Sequence, residues 1–201
     1  MIHSLILSDR RNNQYKTLGI LIFIIYPILS FPFILKGILK RERWAYLLGA
    51  ILMGYIGMLY PPAGDMYRYA EDFNLYKELD WEYFWIFMAL KFDYFLPLLS
   101  WILGKLGAYP ESTRFLFVAC SYYLLLDLYH DITLSNKDMT RRTRVYSLIL
   151  LVPLTFSIYL FRMGFAQVVL VYGIYWFLMK NRKKGPVSYT HLRAHETSLH
   201  L

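Results

Sequence analysis

The sequence has one cysteine and little charge. Cys120 stands alone inside an apolar run, so no disulfide can form within the chain and its redox compartment cannot be read from cysteine usage. Asp, Glu, Lys and Arg make up only 18% of the 201 residues. A soluble domain of this length needs more polar surface than that, so an ordinary soluble globular fold is excluded. The short signatures of common chemistry are missing as well. Before Lys184 there is no metal-ligand spacing, no nucleotide-binding loop and no nucleophile elbow, so the sequence calls for no metal and no cofactor. Nor is there a good cleavable signal. Leu18–Leu35 is longer than a signal's apolar core, and Ser30-Phe31-Pro32 is not a small-x-small cleavage site.

What is present is apolar and aromatic. Hydrophobic residues make up 57% of the chain, with 19 Tyr and 14 Phe, and they come in unbroken runs instead of amphipathic stripes. The pattern predicts an all-α, polytopic transmembrane bundle of about five spans. These are Leu18–Leu35, kinked by Pro27 and Pro32; Trp44–Tyr60; Phe115–Tyr129, starting a few residues earlier; Val145–Phe161; and Gly164–Met179, in a tight hairpin with the span before it. The net charge of +8 comes from basic residues set between these runs. Cytoplasmic anchors of a membrane protein have that placement, so the charge is not a nucleic-acid signal.

Residues 1–184 read as one integral membrane domain. After Lys184 the character changes. Gly185–Leu201 (GPVSYTHLRAHETSLHL) resembles translated adapter or vector sequence, which predicts a chain cut near Lys184. His191, His195 and His200 are therefore set aside as metal ligands.

Loop charges orient the spans. Lys36–Arg43 holds four basic residues against Glu42, His130–Arg144 holds four against two aspartates, and Lys180–Lys184 holds four and no acid, so all three should be cytoplasmic. Pro61–Tyr83 holds six acids against Arg68 and Lys77 and should face outward. Tyr83–Leu106 is apolar, but it contains Lys91, Asp93 and Pro97. A charge at the bilayer centre costs roughly 2.5–3.5 kcal/mol. The loop assignments agree only if this stretch does not cross, and it reads instead as amphipathic or re-entrant helices at the outer face. The N-terminus is then outside, against the sign of Arg10, Arg11 and Lys16.

Two groups collect at the outer face. As a helix, the first would place Asp65, Arg68, Tyr69, Asp72 and Tyr76 on one side and Met66, Ala70 and Phe73 on another. The second is Arg162, the only charge between Arg144 and Lys180, at the mouth of the last hairpin. Arginine grips a diphosphate with a bidentate fork, a carboxylate takes a proton from a sugar hydroxyl, and aromatic faces suit sugars. Together they fit transfer of a sugar from a lipid diphosphate carrier. The plain alternatives are helix-surface ion pairs at Asp65–Arg68 and Arg68–Asp72, a snorkelling Arg162, and an interfacial aromatic belt.

At these residues the chain resembles the EpsG family of Wzy-like polysaccharide polymerases. Gly64-Asp65-Met66-Tyr67-Arg68-Tyr69 stands where that family has an outer Gly-(Thr)-Asp-Tyr-x-x-Tyr motif, without the Thr. Phe95–Gly107 resembles its outer surface helix, and Arg162-Met163-Gly164-Phe165-Ala166 its Arg-x-x-x-Ala motif. Leu59-Tyr60-Pro61-Pro62 departs from the family's Arg-Tyr-Gly stretch. The likeness covers about residues 18–184, and it places further spans beyond Lys184. It implies an inner-membrane, multi-pass polymerase acting on polyprenyl-diphosphate-linked oligosaccharides, beside flippase and chain-length regulator proteins. In that scheme Arg68 and Arg162 hold diphosphate, Asp65 or Asp72 orients or deprotonates the acceptor, and Tyr67 and Tyr69 line the substrate. A flippase for the same lipid-linked sugars and a non-catalytic scaffold are the alternatives.

Overall fold

The computed structural model describes residues 2–62, 65–89, 94–136, 139–150 and 161–183; of 2–13, 65, 150, 161 and 180–183 it describes the backbone alone. Among these residues all regular structure is helical. The helices are α1 (Ile2–Ile25), α2 (Phe31–Leu39), α3 (Arg43–Leu59), α4 (Asp65–Glu78), α5 (Trp81–Met88), α6 (Phe95–Lys105), α7 (Pro110–Ser135), α8 (Arg141–Leu150) and α9 (Phe161–Lys183). Two stretches are long and apolar enough to cross a membrane: Pro110–Ser135, which is α7, and Arg162–Met179 within α9. The helix α3 matches its expected span almost residue for residue, and at 17 residues it is shorter than either of these.

The bundle is built on α3 and α7, which run antiparallel. Gly49 packs at Leu126, Gly54 at Phe115 and Ala119, and Gly57 at Val118. Ala45, Gly49, Gly54 and Gly57 spaced along α3 let the two backbones approach closely, as helices do in a lipid environment. A methyl group added at Gly54 would lie 2.9 Å from the Phe115 carbonyl oxygen and 2.9 Å from the Ala119 Cβ. The helix α9 lies along α7 in the same direction, with Phe165 beside Phe117 (ring centroids 5.1 Å apart) and Tyr172 beside Asp127. The chain must therefore regain the Pro110 end of α7 before α9 begins. Only the first part of the expected fourth span is described, as α8. It starts at the other end, where the Tyr129 hydroxyl donates to the Arg144 carbonyl and Arg144 donates to the Leu39 carbonyl. The rest of that span, and the hairpin expected at its end, lie outside the described residues, as does the tail 185–201.

The first expected span is not one helix. Tyr26 is extended (φ −150°, ψ 92°), Pro27 opens a short 3-10 turn through Ser30, and α2 follows. A residue before proline is pushed out of the helical region, and proline brings no N–H to continue the ladder. The chain reverses instead of kinking. Gly19 meets the Phe33 Cβ, the Tyr15 ring lies 4.9 Å from that of Phe33, and the Lys36 ammonium sits 3.9 Å from the Tyr15 centroid. These pairs are symmetric about Tyr26, so the end of α1 and all of α2 form an antiparallel hairpin. Trp44, at the start of α3, packs against Gly19 and Gly37.

Between α3 and α7 the chain builds a cap from α4, α5 and α6. None of the three is long enough to cross: α6, the longest apolar one, has 11 residues, about 16 Å of helix against a hydrocarbon core of ~30 Å. Within Tyr83–Leu106 the described helices are α6 and most of α5; Lys91 and Asp93 lie outside the described residues. The cap has its own core of Tyr76, Phe84 and Met88, joined by Trp101. The Trp101 indole donates to the Leu79 carbonyl at 2.9 Å. Gly107, with φ +78°, closes α6, its N–H donating to Gly104 and that of Ala108 to Leu103. Pro110 then opens α7 at the first-turn position that proline favours.

The candidate anion site at the acid-rich end

The helix pairings sort the loops onto two ends. One end holds the α2–α3 turn, the segment from α7 to α8 and the end of α9, which are the three basic segments of the sequence. The other end holds the end of α3, the cap, the start of α7 and the start of α9. The candidate residues all fall at this second end.

The helix at Asp65–Glu78 forms as expected, but its faces divide differently. Met66, Phe73 and Tyr76 are buried, and Tyr69 is half-buried against the cluster of Leu96, Phe117, Val118 and Tyr122. The inward stripe therefore runs 66, 69, 73, 76. Tyr76, expected on the polar face with Arg68, instead packs edge-on against Phe84 and Phe87. The physical reason is the cap: α5 and α6 cover α4 with aromatic surface, and a tyrosine ring buries more area there than it would at the water boundary. Tyr67 and Arg68 are exposed and Asp72 is half-exposed. Asp65 opens the helix; Gly64, with Ala63, lies outside the described residues.

Arg162 is exposed in the first turn of α9. One turn later Phe165 joins the same apolar cluster as Tyr69. The starts of α4 and α9 are thus gathered around the first turns of α7, and Arg68 and Arg162 each lie within one turn of a ring in that shared cluster.

A residue that the sequence pattern did not single out lies at the same end. Arg114 is buried in the first turns of α7, only 5% exposed. It donates to the Met58 carbonyl at the end of α3 (2.9 Å) and to the Met66 sulfur in α4 (3.1 Å). The Nε is buried and unpartnered, as is the hydroxyl of its neighbour Thr113. The first contact satisfies a carbonyl that the helix end leaves open. Neither acceptor carries a charge; the opposing charge that reaches this buried cation comes from Glu111, one turn earlier in α7, and a buried cation that is only partly balanced is costly. An anion entering beneath α4 would offset that cost. The third span, expected at Phe115–Tyr129 with a start a few residues earlier, takes in this residue, but the sequence reading gave it no role. Pro110 followed by Glu111 marks the true helix start and places Arg114 on the first turns facing α3.

At the opposite end Asp127 and His130 serve packing. Tyr172 donates to Asp127 at 2.7 Å, and His130 Nδ1 lies 3.1 Å from the Tyr46 hydroxyl. Among the described residues no three His, Cys, Asp or Glu side chains gather in a way that would hold a metal ion. No protein-family model, curated protein or solved structure matches this chain.

Proposed function

We propose that this chain is the N-terminal part of a multi-pass inner-membrane polymerase that joins polyprenyl-diphosphate-linked oligosaccharide repeat units into a surface polysaccharide. The observation that carries this reading is the grouping of Arg68, Arg114 and Arg162 with the acid-bearing helix α4, at the end of the bundle away from the basic loops. That end faces outward by the charge rule, and lipid-linked repeat units are polymerised at that leaflet.

In the reaction the hydroxyl oxygen of an acceptor sugar attacks the anomeric carbon of the donor. The bond from that carbon to the diphosphate oxygen breaks, and the polyprenyl diphosphate leaves with the electron pair. The proton of the attacking hydroxyl passes to Asp65 or Asp72 and then to water. Charge builds on the leaving diphosphate as the bond breaks, and guanidinium groups aimed at it stabilise that change more than they stabilise the bound substrate. Arg162 and Arg68 grip the diphosphate from the water side, and Arg114 meets it from below. Tyr67 offers an exposed ring to a sugar face, while Tyr69 supports the site from within the packed cluster. The resemblance of the motifs at residues 64–69 and 162–166 to EpsG-type polymerases supports the same assignment.

The test is Arg162→Ala in the producing cell. Arg162 is exposed, so its loss leaves the packing of α9 in place. Polymer disappears and lipid-linked single repeat units accumulate, while the protein remains at normal abundance. Polymer of normal length at matched abundance overturns the assignment. Repeat units trapped on the cytoplasmic leaflet would instead mark a flippase.

A further inference from the structure

We infer that residues 14–39 form a re-entrant hairpin that enters and leaves the bilayer on its cytoplasmic side, so that Arg10, Arg11 and Lys16 remain in the cytoplasm. This reverses the side expected for these residues from a single first span, and it does not depend on which reaction the protein performs.

Geometry carries the inference first. The contacts of Tyr15 and Gly19 with Phe33 and Lys36 place both feet of the hairpin together. Those feet stand at the basic end of the bundle, because Gly37 packs on Ala45 at the start of α3, and the Tyr46 hydroxyl reaches the Ile38 carbonyl. The arm from Lys16 to Ile25 spans about 15 Å, half the ~30 Å hydrocarbon core, so the hairpin turns inside the membrane.

Exposure carries it second. The tip is apolar and uncovered by the other described residues: Ile24 is 73% exposed, Ile25 80% and Leu29 63%, with Tyr26 and Phe31 about half-exposed. Water is a poor neighbour for such a surface, while lipid acyl chains suit it. An apolar cavity of about 300 Å³ lies where the tip meets α3, lined by Ile28, Leu29, Phe31, Pro32, Leu52 and Ile56, and it has room for part of a lipid chain.

Charge carries it third. A single crossing at Leu18–Leu35 puts Arg10, Arg11 and Lys16 on the opposite side from Lys36, Lys40, Arg41 and Arg43, against the positive-inside rule. The hairpin puts all of them on one side, where anionic headgroups attract them. Lys36 and Lys40 both approach the Tyr15 ring at this foot, at 3.9 and 5.9 Å.

The experiment labels single cysteines in a Cys120→Ser background with a membrane-impermeant maleimide, using right-side-out and inverted vesicles. Gln14→Cys reports the foot, Ile25→Cys the tip, Asn74→Cys the acid-rich cap and Ser135→Cys the basic end; all four positions are exposed. Gln14→Cys is expected to label only in inverted vesicles, together with Ser135→Cys, and Ile25→Cys in neither. Labelling of Gln14→Cys together with Asn74→Cys, or of Ile25→Cys from outside, overturns the hairpin. Trypsin on the unsubstituted protein tests the same topology without any variant. Cleavage near Arg10, Arg11 and Lys16 only in inverted vesicles supports it, and cleavage in right-side-out vesicles overturns it.

Discussion

Tyr172 in α9 donates a 2.7 Å hydrogen bond to the carboxylate of Asp127 in α7. The bond fixes how far along α7 the last helix sits. With the ring contact of Phe165 on Phe117, it defines the α7–α9 register at two levels.

Removing that bond should loosen α9 without unfolding the bundle. Tyr172→Phe and Asp127→Ala are each expected to lower stability in detergent by about 1 kcal/mol, the usual worth of a hydrogen bond between membrane helices. The double variant should cost little more than either alone. A double-mutant cycle from thermal or SDS unfolding checks this, and fully additive losses would mean that the two side chains are not coupled.

Gly54 and Gly173 should respond oppositely to the same substitution. A methyl group at Gly54 collides with the Phe115 carbonyl and with Ala119, whereas at Gly173 it meets nothing within 4 Å. Gly54→Ala is therefore expected to cost roughly 1–3 kcal/mol by overpacking, and Gly54→Leu more. Gly173→Ala should be neutral, or stabilising by up to about 1 kcal/mol through helix propensity. Unfolding midpoints of the purified variants decide it; equal behaviour at both positions would refute the close α3–α7 approach.

Arg114 separates a structural arginine from a substrate-holding one. Arg114→Met keeps the length and removes the charge, and Arg114→Lys keeps the charge and loses the fork. Both lose the bond to the Met58 carbonyl and should unfold at a lower temperature, by an amount worth about 1–3 kcal/mol. If the guanidinium holds a diphosphate, Arg114→Met should also abolish polymer at matched abundance, and Arg114→Lys should keep a fraction of it. Normal polymer from Arg114→Met would leave the residue a purely structural tie between α3 and α7.

Run length made α7 and α9 legible, because unbroken apolar stretches of that size have few uses outside a membrane. The charge of the loops argued against one long helix through Lys91 and Asp93, and the described helices on either side of them, α5 and α6, are short. Tyr26 was harder. A proline inside an apolar run marks either a kink or a reversal, and the choice rests on whether Phe33 has a glycine to pack against across the turn. That long-range fact lies in Gly19 and has no local signature. The faces of α4 failed for a related reason. Tyr69 and Tyr76 are equally at home at a water boundary and under an aromatic cap, and only the position of α5 and α6 decides between them. Arg114 was missed because a lone arginine at the start of an apolar run looks like a snorkelling anchor, and only the contacts of α7 with Met58 and Met66 show it to be buried.

The antiparallel pairing of α3 with α7 ties biogenesis to the membrane potential. The two partners are separated by the whole cap, so with the cap outside, their glycine-lined interface cannot close until the cap has been exported. The leading part of that cargo, Pro61–Tyr83, holds six acids against two bases, a net of −4. A potential positive outside draws each such charge outward by about 2.3 kcal/mol per 100 mV. By that pull these acids help bring the first helix pair into register as the chain is made, and a de-energised membrane should stall assembly there, with α3 inserted and still without its partner.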